Sequence, residues 1–126
     1  MTTTSIEPPV WLENVLAEIG ELAQLDENWD SYGAQRIDPH CIQAAAGLLR
    51  AILDAATPRP SVVPTSRGGV QLEWHRGGID LEIEIESPTR MNVSFEDARE
   101  GTQKEMTLAG NIRPLVEFLK HLEEAG

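Results

Sequence analysis

Between Val62 and Phe95 the chain alternates apolar and polar residues, and no other feature narrows the fold as much. Val70, Leu72 and Trp74 alternate with Gln71, Glu73 and His75. Leu81, Ile83 and Ile85 alternate with Glu82, Glu84 and Glu86, and Met91, Val93 and Phe95 with Asn92, Ser94 and Glu96. Successive side chains on a strand point to opposite faces, so a period of two predicts strands with one greasy face and one wet face. Ser66–Gly69, Arg76–Gly78 and Ser87–Thr89 separate the runs. Connections this short join antiparallel neighbours, because parallel strands need a crossover of a dozen residues or more. A short strand over Ser61–Thr65 precedes them. A looser loop, Asp97–Gly101, leads to a last candidate strand ending near Leu108, giving a meander of four or five strands.

On either side the period lengthens to that of a helix. Leu12, Val15, Leu16, Ile19, Leu22 and Ala23 predict a first helix from about Pro9 to Leu25, opened by Pro8-Pro9. Asp38 and Pro39 are cap and first-turn residues for a second helix with the stripe Ile42, Ala45, Ala46, Leu49, Ile52 and Leu53, stopped by Thr57-Pro58-Arg59-Pro60. Asn111 caps a third, whose face is Ile112, Leu115, Val116, Leu119 and Leu122 with Phe118 beside it. The fold class is therefore α+β: two N-terminal helices, an antiparallel meander and a C-terminal helix, with the helices packed on one sheet face. The 126 residues divide into a disordered tail, 1–8, and a single domain, 9–126.

Charge excludes some partners. With 21 acidic against 10 basic residues the net charge is −11. Such a field repels phosphate backbones, so no direct nucleic-acid binding is expected, while basic proteins are attracted. No apolar run approaches the roughly 20 residues a membrane helix needs. The N-terminus shows no basic-then-apolar export signal, and there is one cysteine, Cys41. Both features point to a cytoplasmic setting.

Motifs for chemistry are sparse. Asp26, Asn28 and Asp30 have the spacing that opens a calcium loop, but Ser31 stands where the loop needs Gly and Ile37 where it needs Glu. His40, His75 and His121 form no H-x-x-x-H pair, and a lone cysteine closes no metal site. No cofactor or metal is expected. Cys41 reads as small core packing. Glu82, Glu84 and Glu86 share one solvated face and so lack the split protonation that acid–base catalysis needs; no enzyme is expected.

Two features invite a binding role. In the segment Asp26–Ile37 the plainer reading buries the rings of Trp29 and Tyr32 between the first two helices, with Asp30 and Ser31 bonding backbone N–H groups and Gly33 in an unusual backbone angle. The functional reading makes Trp29 and Tyr32 partner anchors. The second feature is the acidic ladder. Glu73, Glu82, Glu84, Glu86 and Glu96 share one parity, and residues two apart on a strand lie roughly 6.8 Å apart on the same side. The plainer account is a solvated face; the functional account is a platform for a basic protein groove.

The segments Leu25-Asp26-Glu27-Asn28-Trp29-Asp30-Ser31-Tyr32-Gly33-Ala34 and Gly68-Gly69-Val70-Gln71-Leu72-Glu73-Trp74 resemble a family of short, uncharacterised bacterial proteins with an N-W-D-x-Y-G-A loop and a G-G-V-x-L-E-W hairpin. The resemblance implies a bacterial or phage origin and a cytoplasmic setting, and brings no activity with it.

The leading expectation is a non-enzymatic binding module that neutralises a basic protein partner, in the manner of an antitoxin, immunity protein or phage inhibitor. The alternatives are a small enzyme or ligand binder using Asp26, Asp30, Tyr32 and His75 near the first interhelical loop, and a structural subunit that forms a homodimer through the sheet edge or last helix.

Overall fold

The computed structural model describes residues 7–125. The chain runs α1 (Leu12–Glu21), a short 3-10 turn (Leu22–Gln24), α2 (Pro39–Ile52), β1 (Ser61–Pro64), β2 (Val70–Arg76), β3 (Ile79–Ser87), β4 (Arg90–Asp97), β5 (Thr102–Leu108) and α3 (Arg113–Ala125). The five strands form one antiparallel sheet in the order β1-β2-β3-β4-β5. The meander is thus five-stranded, and the loop expected at Asp97–Gly101 begins one residue later, because Asp97 still pairs with Thr102.

Alternation became burial along the central strands. Val70, Leu72, Trp74, Ile79, Leu81, Ile83, Ile85, Val93 and Phe95 are buried, whereas the intervening residues are half-buried or exposed. The buried set belongs to one cluster with Leu12, Val15 and Ile19 of α1, Cys41, Ala45, Leu48 and Leu49 of α2, and Leu115, Phe118, Leu119 and Leu122 of α3. Burying one such aliphatic side chain contributes about 1.5–3 kcal/mol, so this cluster is the main source of stability. Trp74 keeps its polar end satisfied by donating from Nε1 to the Pro58 carbonyl at 2.7 Å.

The helices start and end where local chemistry lets them. Asp38 accepts from the His40 N–H at 2.8 Å, with Pro39 in the first turn. Asn111 accepts from the Arg113 N–H at 3.1 Å. α1 begins at Leu12 rather than Pro9. Residues 9–12 close a tight turn instead, with the Leu12 N–H on the Pro9 carbonyl, and Trp11 is tied to the Thr57 carbonyl through its indole. In α3 it is Phe118 that enters the core, stacked on Phe95 with ring centroids 4.5 Å apart, while Val116 faces outward. Val116 follows Leu115 by one residue, about 100° around the helix, which takes it off the stripe. Of the tail expected at 1–8, residues 1–6 lie outside the described residues, and Glu7 and Pro8 are exposed coil.

Two features at the sheet margins matter below. Gly69 lies where a Cβ would stand 2.6 Å from the Ile85 carbonyl oxygen, so the close approach of the β1–β2 turn to β3 requires glycine. At the other margin, Lys104 of edge strand β5 pairs with Phe95 and so occupies a position of core-facing parity, yet it is exposed.

Candidate functional site

The wet parity of the sheet gathers the acidic residues. Register places Glu73 of β2 opposite Glu82 of β3, Gln71 opposite Glu84, and His75 opposite Asp80. Across the next pair, Glu82 faces Ser94, Glu84 faces Asn92 and Asp80 faces Glu96. β5 adds Glu105, opposite Ser94, and Gln103, opposite Glu96. Register therefore places Glu73, Glu82, Glu84 and Glu96 on one face, where Asp80 and Glu105 join them, while Glu86 falls at the register shift between Ile85 and Ser87. Alternation alone did not single out those two: Asp80 adjoins a Gly-Gly turn, and Glu105 sits in the least regular strand.

The carboxylates differ in how far neighbours occupy them. Glu86 lies at a bulge between Ile85 and Ser87 and is matched by Arg90 at 2.7 Å and Arg67 at 3.8 Å. Glu73 accepts from Gln71 Nε2 at 2.8 Å and stands 3.4 Å from His75. Glu84 accepts from Asn92 at 3.0 Å. Glu82 makes no side-chain hydrogen bond or ion pair among the described residues. Glu96 is exposed. Glu82, Glu84 and Glu105, with Gln71, Asn92 and Thr107, line an open depression of about 620 Å³ in the middle of this face. Like charges side by side on a sheet are destabilising, and among the described residues only Glu86 of these carboxylates has an arginine beside it. His75 is the neighbouring base: Asp80 first, then Glu73, hold its pKa above the usual imidazole value against partial burial.

The loop between α1 and α2 uses its polar groups differently. Asp30 accepts from the N–H groups of Tyr32 at 2.8 Å and Ala34 at 3.1 Å, and Asn28 accepts from the Gly33 N–H at 2.7 Å. Asn28, Ser31 and Gly33 all adopt positive φ. Ser31 therefore supplies a backbone angle rather than the expected side-chain bond, and Asn28 takes the accepting role. Trp29 is half-buried and donates to the Gln35 carbonyl at 3.1 Å, but Tyr32 is 92% exposed. The expectation that both rings bury is corrected for Tyr32: the bonds that close the loop turn its side chain away from the helices.

The loop is also tied to the first hairpin. Gln35 N–H donates to the Ser66 carbonyl and Asp38 N–H to the Gly68 carbonyl. A Cβ on Gly68, whose φ is +89°, would stand 3.0 Å from the Arg36 carbonyl oxygen. The end of this loop, Gln35–Asp38, thus packs directly on the turn between β1 and β2.

The residues named for a small-molecule site do not converge. Asp26 is engaged with Arg36, Asp30 is spent inside its loop, and His75 is held by Asp80 and Glu73 on the sheet. The depression beside the loop, about 300 Å³, is lined by Glu27, Asn28, Gly33, Ala34 and Gln35 and by none of those four. Cys41 is buried, its thiol against the Glu86 carbonyl, and burial raises its pKa, as expected of an inert packing residue. No helix among the described residues is long and apolar enough to cross a membrane.

Comparison with protein-family models, with curated proteins and with solved structures finds no match to this chain.

Proposed function

We propose that the chain is a non-enzymatic binding module whose wet sheet face docks a basic protein partner. The observation that carries this reading is the central depression, where Glu82, Glu84 and Glu105 converge with no lysine or arginine among its lining residues. In this reading all three helices pack on the opposite face, which leaves the acidic face open along its length. A net charge of −11 speeds encounter with a cationic surface, and the local carboxylates fix its register. Tyr32 and Trp29 provide a second contact, an exposed aromatic ring on a loop stiffened by its own hydrogen bonds. A partner that itself grips nucleic acid would present the complementary charge. Neutralising such a partner is what an antitoxin, immunity protein or phage inhibitor does, and the likeness to short bacterial proteins would place the encounter in a bacterial cytoplasm.

The test separates the face from the overall charge. Affinities for a panel of defined basic proteins are compared between the triple variant Glu82→Gln, Glu84→Gln, Glu105→Gln and a control that removes the same charge from the helices, Glu13→Gln, Glu117→Gln, Glu124→Gln. The reading expects the sheet variant to weaken binding at least tenfold and the helix variant to change it little. Equal losses would mean that only net charge matters and would overturn it.

A further inference from the structure

One corner of the same face holds an arrangement that docking does not require. Glu73 and His75 stand two apart on β2, and Glu82 and Asp80 two apart on β3; pairing sets Glu73 against Glu82 and His75 against Asp80. A ligand atom from each of Glu73, His75 and Glu82 lies within 4.8 Å of the other two. We propose that Glu73, His75 and Glu82 form a binding site for a divalent transition-metal ion, zinc being the ion that best suits one imidazole and two carboxylates. This goes beyond the docking reading and does not depend on it.

The geometry supports the assignment in three ways. His75 Nε2 stands 3.4 Å from Glu73 Oε1, outside the 2.7–3.2 Å range typical of a hydrogen bond. That separation equals the edge of a tetrahedron with metal–ligand bonds of about 2.0–2.2 Å, whose ligands sit roughly 3.3–3.6 Å apart. Both residues are also oriented from behind. Asp80 takes His75 Nδ1 at 2.5 Å, which leaves Nε2 facing the glutamates, and a carboxylate on the far ring nitrogen is the usual support of a metal-binding histidine. Gln71 donates to Glu73 Oε2, which leaves Oε1 turned toward His75. Finally, Glu82 has no hydrogen-bond or ion-pair partner among the described residues and directly opposes Glu73. A cation between two opposed carboxylates converts their repulsion into attraction. Three protein ligands leave the fourth tetrahedral position to water or to a group from a partner.

The competing arrangement is an imidazolium that bridges Asp80 and Glu73 and binds no metal. Titration of the full metal-free chain with zinc chloride near neutral pH, followed by calorimetry, distinguishes the two. The proposal expects one saturable zinc per chain, undisturbed by excess magnesium or calcium. His75→Ala removes that phase, Asp80→Asn weakens it about 10–100-fold by loosening the ring, and Glu84→Gln, an acidic neighbour outside the set, leaves it unchanged. Ring resonances in the unmodified chain give a reading that needs no variant: zinc shifts those of His75 and spares His40 and His121. No saturable binding, binding that survives His75→Ala, equal weakening by Glu84→Gln, or a shift centred on His40 would each overturn the proposal.

Discussion

The loop between α1 and α2 and the open sheet face are both polar and both acidic, yet they use their carboxylates in opposite ways. In the loop Asp30 gives its carboxylate to two backbone N–H groups, and Asn28 closes the same turn from the other side. On the sheet the strand ladders already satisfy the backbone, so Glu82 and its neighbours have no such work to do. A polar side chain that closes a turn is explained by the fold. Carboxylates crowded on a surface whose backbone is already paired are not, and this contrast is what motivates the proposed docking face.

The contrast can be broken by mutation. Asp30→Ala leaves two backbone donors without their acceptor and is expected to cost about 1–3 kcal/mol in urea unfolding, with the m-value unchanged. A loss below a few tenths would show that the loop does not depend on its carboxylate. Glu82→Gln should act in the other direction in metal-free buffer. Relieving the opposition to Glu73 raises stability by about 0.2–1 kcal/mol, and the gain shrinks as salt is added. A clear destabilisation would mean that Glu82 is as structural as Asp30.

A third carboxylate sharpens the comparison because it is crowded without belonging to either region. Burial, and then the hydrogen bond that a protonated Glu123 donates to neighbouring Asp54, hold Glu123 above its usual carboxylate range. Its folded pKa exceeds the unfolded value, so the stability it contributes is present at low pH and lost as pH rises through the folded pKa. Glu123→Gln should therefore raise Tm slightly at neutral pH, with the difference gone below about pH 4. A rise that persisted in acid would point to packing rather than charge. The smallest effect on folding is expected from Tyr32→Ala, within about 0.5 kcal/mol of the parent, because the ring is exposed. If stability is kept while binding to a basic protein weakens, the ring acts as an anchor. If stability falls by more than 1 kcal/mol, the ring packs on something in solution.

The sheet was legible because a period of two has few rivals. Once Leu81, Ile83 and Ile85 face one way, Glu82 and Glu84 must face the other, and turns of two to five residues leave only antiparallel neighbours. The caps at Asp38 and Asn111 were legible for an equally local reason. Tyr32 was not. Whether an aromatic ring in a loop turns in or out depends on backbone angles at Asn28 and Ser31, and positive φ at those residue types leaves only a weak trace in sequence. The meeting of Glu73, His75 and Glu82 was hidden for a different reason. Spacing along one strand relates Glu73 to His75, but Glu82 arrives through register, which a Gly-Gly turn sets only when the hairpin closes.

Lys104 has a consequence for how this chain behaves in company. An ammonium on the greasy parity of an edge strand would have to be desolvated before a neighbour could zip onto that border. Concentrated solutions should accordingly show no strand-to-strand growth through the β5 border, which under the proposed docking role leaves the broad side of the sheet as the surface on offer.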